Sequence, residues 1–70
     1  MIKVGHKIKL QRKNKKITQQ ELADHLGVRR ETILHLEKDR HAITFENAIK
    51  ISLFLGCSLD DLYEKEEQSD

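Results

Sequence analysis

Residues 19–38 read QQELADHLGVRRETILHLEK, and this stretch decides the fold. Leu22, Ala23 and Leu26 share one face at helical spacing, and Gly27 stands where a left-handed residue closes a helix. Two or three residues later a second helix begins, with Ile33 and Leu36 as its buried stripe. A connection this short sets the two helices at a steep angle rather than side by side. Close crossing needs a small residue where the first helix faces the second, and Ala23 sits four positions before the glycine. Val28 plugs the corner.

A small residue, a glycine four later, and apolar positions six and nine beyond it form the helix-turn-helix pattern. Around it the chain reads as further helices. Val4 and Ile8 mark a first helix over roughly 4–15, with Ile2 to Val4 the one stretch with a hint of strand alternation. Thr18-x-x-Glu21 is a capping box that opens the second helix. The third runs over roughly 29–38. Phe45, Ala48, Ser52 and Leu55 line a fourth, capped by Thr44 and stopped at Gly56. Ser58-x-x-Asp61 opens a short fifth helix holding Leu59, Leu62 and Tyr63. The acidic stretch after it has nothing to bury, so residues 65–70 are expected to fray.

Seventy residues hold one domain. With 37% apolar and 36% charged residues, and Ile and Leu recurring throughout, a folded domain is expected rather than disorder. The single cysteine, Cys57, excludes an internal disulfide and a CxxC zinc site. No apolar run approaches the roughly 18 residues that span a bilayer. A small soluble protein of a reducing compartment, the cytoplasm, is the expectation.

The net charge of +1 conceals a polar division of the chain. Residues 1–57 carry 12 Lys and Arg against 6 Asp and Glu, whereas residues 58–70 carry one Lys against six acids. The first 16 residues hold seven cations and no acid. Such a segment suits a polyanion, nucleic acid above all, and it equally suits a solvated helix whose last lysines complement its dipole. The third helix adds a sharper argument. Acids and hydroxyls belong at a helix N-terminus, yet this one opens Arg29-Arg30, against its dipole by about 0.3–1 kcal/mol per charge. It also lacks a Ser, Thr, Asp or Asn cap, worth about 1 kcal/mol. Either the arginines serve a partner, their forks matching phosphate or guanine, or they pair with acids such as Glu31 or Asp24.

TQQELADHLGV, RRETILHLEK and FENAIKISLFLGCSLDDLYE together resemble the Cro/CI-type (XRE) helix-turn-helix regulators, over about residues 4–64. The resemblance implies an all-α, five-helix bundle with a lambda repressor-like DNA-binding domain over 1–64. Its third helix would enter the major groove, as a homodimer on a palindromic operator. Residue by residue, it places Gln19 on backbone phosphate and makes it steady the recognition helix. It places Arg29, Arg30, Glu31, Thr32 and His35 on base edges, and Lys38, Arg40 and His41 in the loop that grips the backbone. Glu31 suits cytosine N4 and the arginines suit guanine. Arg12 and Glu37 match a pair that forms an internal salt bridge, which assigns both to the scaffold. Three positions depart from the family: Arg29 replaces a Ser or Thr cap, Asp39 stands where glycine is common, and Leu10 and Gln11 are exchanged.

Other constellations point elsewhere less strongly. The four histidines match no common zinc spacing, so no metal or other cofactor is expected. Cys57 reads as a small buried hydrophobe, and the chain is too short to enclose a catalytic pocket easily, so an enzyme is not expected. No small-molecule ligand is expected. The fourth helix carries more apolar surface than one face needs, through Ile49, Ile51, Leu53 and Phe54. Either a two-fold dimer covers it, with Leu53 and Tyr63 at the interface, or Phe54 and Ile49 fold against helices one and five. The expected function is a sequence-specific repressor. The alternatives are an antitoxin or restriction-modification controller repressing its own operon, with a toxin partner on the fourth helix in the antitoxin case, and a protein-interaction module that does not read DNA.

Overall fold

The computed structural model describes residues 3–64; the acidic tail over 65–70 lies outside the described residues. Four α-helices follow one another: α1 (Gly5–Asn14), α2 (Gln19–Leu26), α3 (Arg30–Glu37) and α4 (Phe45–Leu55). A single 3₁₀ turn over Leu59–Leu62 takes the place of the expected fifth helix. Ser58 N–H does donate to the Asp61 carboxylate (3.0 Å), as the sequence pattern indicates. Only Leu62 of that turn is buried, however, and Tyr63 is already extended, so no second turn has a face to pack. No strand forms among the described residues, and Val4 is the N-cap of α1.

Local signals account for most helix ends. Thr18 Oγ1 accepts from Glu21 N–H (3.0 Å) and Thr18 N–H donates to the Glu21 carboxylate (3.0 Å), the full capping box. Thr44 Oγ1 accepts from Asn47 N–H (3.1 Å) and starts α4. Gly27 and Gly56 close α2 and α4 at φ of 69° and 68°, a conformation in which L side chains are strained.

The core draws on every helix. Ile8 of α1, Leu22 of α2, Ile33 of α3, and Ile51 and Leu55 of α4 are all but fully buried, with Ala23, Leu26, Leu36 and Leu62 around them. Each such side chain contributes about 1.5–3 kcal/mol on burial. Ala23 is completely buried where α2 crosses α3, and Val28 packs half-buried at the corner. Two apolar residues depart from expectation. Phe45, placed on the buried stripe of α4, is 72% exposed at the first position of the helix, where it lines an apolar groove instead of entering the core. Leu10 is 42% exposed on α1, the consequence of its exchange with Gln11, which is half-buried.

The N-terminus of α1 seats directly on the C-terminus of α3. A Cβ at Gly5 would collide with the Glu37 carbonyl and stand 2.8 Å from the Leu36 carbonyl oxygen, so only glycine permits the approach. This contact places the loop after α3 beside the start of the chain. Glu64 N–H donates to the Lys3 carbonyl (2.9 Å), bringing the end of the described chain to the same corner.

Candidate nucleic-acid interface

The residues expected to meet DNA divide into those that α3 presents and those that the scaffold holds. Arg29, Arg30 and Glu31 are exposed at the start of α3, and Thr32 is half-exposed beside them. Arg29 is the N-cap, with extended backbone and no side-chain capping bond, so α3 begins one residue later than the pattern suggests. Neither arginine forms an ion pair with Asp24 or Glu31 among the described residues, and Asp24 instead accepts from Gln20 Nε2 (2.8 Å). The α3 N-terminus thus projects cations and one acid into solvent.

Behind this exposed edge runs a buried relay. Arg12 of α1 donates through Nε to Glu37 Oε2 (2.7 Å) and through Nη2 to Glu37 Oε1 (3.0 Å), a bidentate pair across α1 and α3. Its remaining nitrogen, Nη1, donates to the Ile17 carbonyl (2.8 Å) in the connection to α2. Arg12 is therefore fully engaged inside the domain, and Glu37 is a scaffold carboxylate. Gln19 at the start of α2 joins the pair, its Nε2 donating to Glu37 Oε1 (3.1 Å). The same amide accepts from Arg30 Nη1 at 3.4 Å through its oxygen. One chain of contacts so connects α1, α2 and α3 and ends on an exposed arginine.

The remaining site residues are less uniform. His35 lies one turn beyond Glu31, half-buried, with its Nδ1 enclosed and without a partner among the described residues. Its ring meets His41 edge to face at 5.1 Å between centroids. His35 is thus packed under the loop, and the freely exposed set is Arg29, Arg30 and Glu31. Lys38, Arg40 and His41 are all exposed after α3. Between them sits Asp39, which adopts a left-handed backbone (φ 54°) and whose Oδ1 accepts from both Val4 N–H (2.9 Å) and Gly5 N–H (3.0 Å). Sequence reading passed over this role. Its signal is an acid where glycine is common, facing a helix α1 that has neither a cap of its own nor an acid in its first turn.

Of the apolar candidates, Leu53 is 77% exposed on α4 and Tyr63 is half-buried. Phe54 stacks on the His25 ring of α2 at 4.1 Å and packs against the core. An apolar groove lined by Val4, Ile43, Phe45, Ala48, Leu62 and Tyr63 opens beside Phe45. Burial, and secondarily the Asp61 carboxylate, pushes the Cys57 thiol up, which disfavours a reactive thiolate. No three His, Cys, Asp or Glu side chains among the described residues gather to hold a metal, and no helix there is long and apolar enough to cross a membrane.

Known proteins share this fold. A helix-turn-helix family matches residues 8–62. An uncharacterized HTH-type transcriptional regulator of Methanocaldococcus jannaschii is 36% identical over 58 residues, 83% of this chain and 88% of its own. The P22 c2 repressor, solved in complex with a synthetic operator, is similar at a TM-score of 0.77 and 34% identity, over 84% of this chain and 89% of its own. SinR, a master regulator for biofilm formation solved in complex with DNA, has a TM-score of 0.76 at 28% identity, over 84% of this chain and 95% of its own. With its packed α2–α3 pair, its Arg12–Glu37 brace and these likenesses, the chain belongs to the Cro/CI-type (XRE) helix-turn-helix family of DNA-binding transcriptional regulators.

Proposed function

We propose that this chain is a sequence-specific repressor that occupies a palindromic operator as a homodimer, reading bases through the N-terminal half of α3. The observation that carries the reading is the exposed Arg29-Arg30-Glu31 edge, free of ion pairs among the described residues, at the end of the Arg12–Glu37–Gln19 relay. A side chain tethered at one end and solvated at the other is pre-organised for a bidentate contact, and arginine matches the O6 and N7 edge of guanine. Glu31 accepts from cytosine N4, Thr32 meets the neighbouring base, and His35 packs at the end of the readout row. Gln19, Lys38, Arg40 and His41 hold the phosphate backbone, which fixes register without carrying sequence information.

Two copies related by a two-fold axis present their α3 helices about 34 Å apart, onto successive major grooves. The exposed Leu53 of α4 and the half-buried Tyr63 support an interface there. Exposed Leu53, with Phe45, favours a second reading in which a partner protein such as a toxin docks there and the chain represses its own operon. No step calls for a cofactor, a catalytic group or a small-molecule effector, and the setting is the cytoplasm, where DNA is reached.

Selection from a random DNA pool at about physiological salt tests the reading. An enriched palindrome supports it; retention without enrichment leaves only charge-driven binding. Leu53→Asp in sedimentation equilibrium tests the dimer, which is expected to dissociate. A protein-interaction module without DNA readout predicts the reverse pattern, with partner binding lost in Leu53→Asp and unaffected by Arg30→Ala.

A further inference from the structure

We infer that Asp39 is a positioning residue for DNA backbone binding, which holds the loop after α3 in place by capping α1 from across the fold. The inference rests on the reading of Lys38, Arg40 and His41 as backbone contacts. Three observations meet at this residue. Its Oδ1 accepts two backbone N–H groups, Val4 at 2.9 Å and Gly5 at 3.0 Å, from positions 35 and 34 residues away in sequence. These are N–H groups that a helix start leaves without an intrahelical partner, and α1 has no cap or acid of its own. The backbone at Asp39 is left-handed, a conformation that costs a non-glycine residue about 1 kcal/mol or more and persists only where its surroundings hold it.

The consequence is mechanical. Exposed loops are mobile by default, and long cationic side chains on a mobile loop lose entropy when they meet phosphate. Asp39 fixes the backbone midway between Lys38 and Arg40, and the seat of Gly5 on the Glu37 and Leu36 carbonyls stops α1 from following the loop outward. Lys38 and Arg40 therefore approach DNA on a fixed base. The carboxylate is spent on two N–H donors and held inward, half-buried, so its negative charge opposes phosphate less than an exposed acid at the same place.

The test is nonspecific binding to a mixed-sequence 30-bp duplex (about three helical turns), measured across salt concentrations, since backbone contacts dominate such binding. Each phosphate contact contributes about 0.9 to the slope of log affinity against log salt, or about eight-fold in affinity at 0.1 M salt. Asp39→Gly relaxes the left-handed backbone but deletes the clamp; it is expected to lower the slope by about one contact or more. Asp39→Asn keeps an acceptor oxygen and tolerates the left-handed conformation, so it is expected to keep the wild-type slope. A purely backbone role for residue 39 leaves Asp39→Gly at the wild-type slope, and a purely electrostatic role makes Asp39→Asn and Asp39→Gly both bind more tightly; either result overturns the inference. The double variant Lys38→Ala, Arg40→Ala serves as reference. If its slope falls by about two contacts while Asp39→Gly stays at wild type, the inference alone fails; if its slope does not fall, the reading of the loop fails first and takes the inference with it.

Discussion

Replacing Arg12 by alanine strips the buried Glu37 carboxylate, 3% exposed, of two of its three hydrogen bonds, leaving Gln19 Nε2 as its donor. Breaking a buried ion pair from one side costs about 3–5 kcal/mol, because the remaining charge keeps its desolvation and loses its partner. The Ile17 carbonyl loses its guanidinium donor as well. A domain of this length has a total stability of roughly 4–10 kcal/mol, so Arg12→Ala is expected to consume a third of it or more. In urea unfolding followed by circular dichroism the midpoint falls accordingly, and the melting temperature drops by about 12 °C or more. Removing both charges in Arg12→Met, Glu37→Leu has a different outcome. Stability returns to wild type or exceeds it by about 1–4 kcal/mol, since neither desolvation penalty remains. DNA affinity does not return with it, because Gln19 has lost the acceptor that orients it toward Arg30. A loss under about 1 kcal/mol in Arg12→Ala refutes the argument from burial. Wild-type DNA binding in the stable double variant refutes the relay.

Gly5→Ala drives a methyl group into the Glu37 and Leu36 carbonyls and is expected to destabilise by about 2 kcal/mol or more, read as a lower thermal midpoint; an unchanged midpoint would mean that α1 shifts freely on α3. Thr18→Ala removes the acceptor for Glu21 N–H and is expected to cost about 1 kcal/mol in urea unfolding, with Thr18→Ser restoring most of it. Tyr63 donates its hydroxyl to the Asp60 carboxylate (2.8 Å), which pushes the phenol up from its ordinary value of 10.0. The folded state thus holds this proton more tightly than the unfolded state, so the contribution to stability is complete below the ordinary tyrosine range and disappears as pH rises through the folded value. Tyr63 is the one tyrosine and there is no tryptophan, so phenolate absorbance reports it alone; Asp60→Asn is expected to move that titration down, and an unmoved curve would contradict the hydrogen bond as its cause.

What could be read from sequence was local. Thr18 with Glu21, Thr44, Gly27 and Gly56 act within three or four residues of themselves, and each closes or opens the helix its neighbours indicate. The packing of α2 on α3 was legible for the same reason, since Ala23, Gly27, Val28, Ile33 and Leu36 all lie within one short stretch. Ser58 and Asp61 form their local bond too, yet a cap cannot lengthen a helix that buries only Leu62. Phe45 fits the apolar stripe of α4 by periodicity, but periodicity does not tell how far the neighbouring helices extend. The α1–α3 seat at Gly5 and the Asp39 clamp were out of reach because they join residues more than 30 positions apart. The exposed Arg29-Arg30 edge was legible through a violation: two arginines at an electropositive helix start make little sense for stability alone.

The most direct test of the central claim compares Arg30→Ala with wild type on two duplexes, the site recovered by selection and a mixed-sequence control, by fluorescence anisotropy at fixed salt. Base readout by Arg30 predicts a loss of about 1–3 kcal/mol on the selected site, roughly five- to 150-fold, with relaxed preference at one base pair. On the control duplex the change is expected to be much smaller. Equal weakening on both duplexes would make Arg30 a phosphate contact, and no weakening on either would contradict the assignment of α3 as the element that reads DNA.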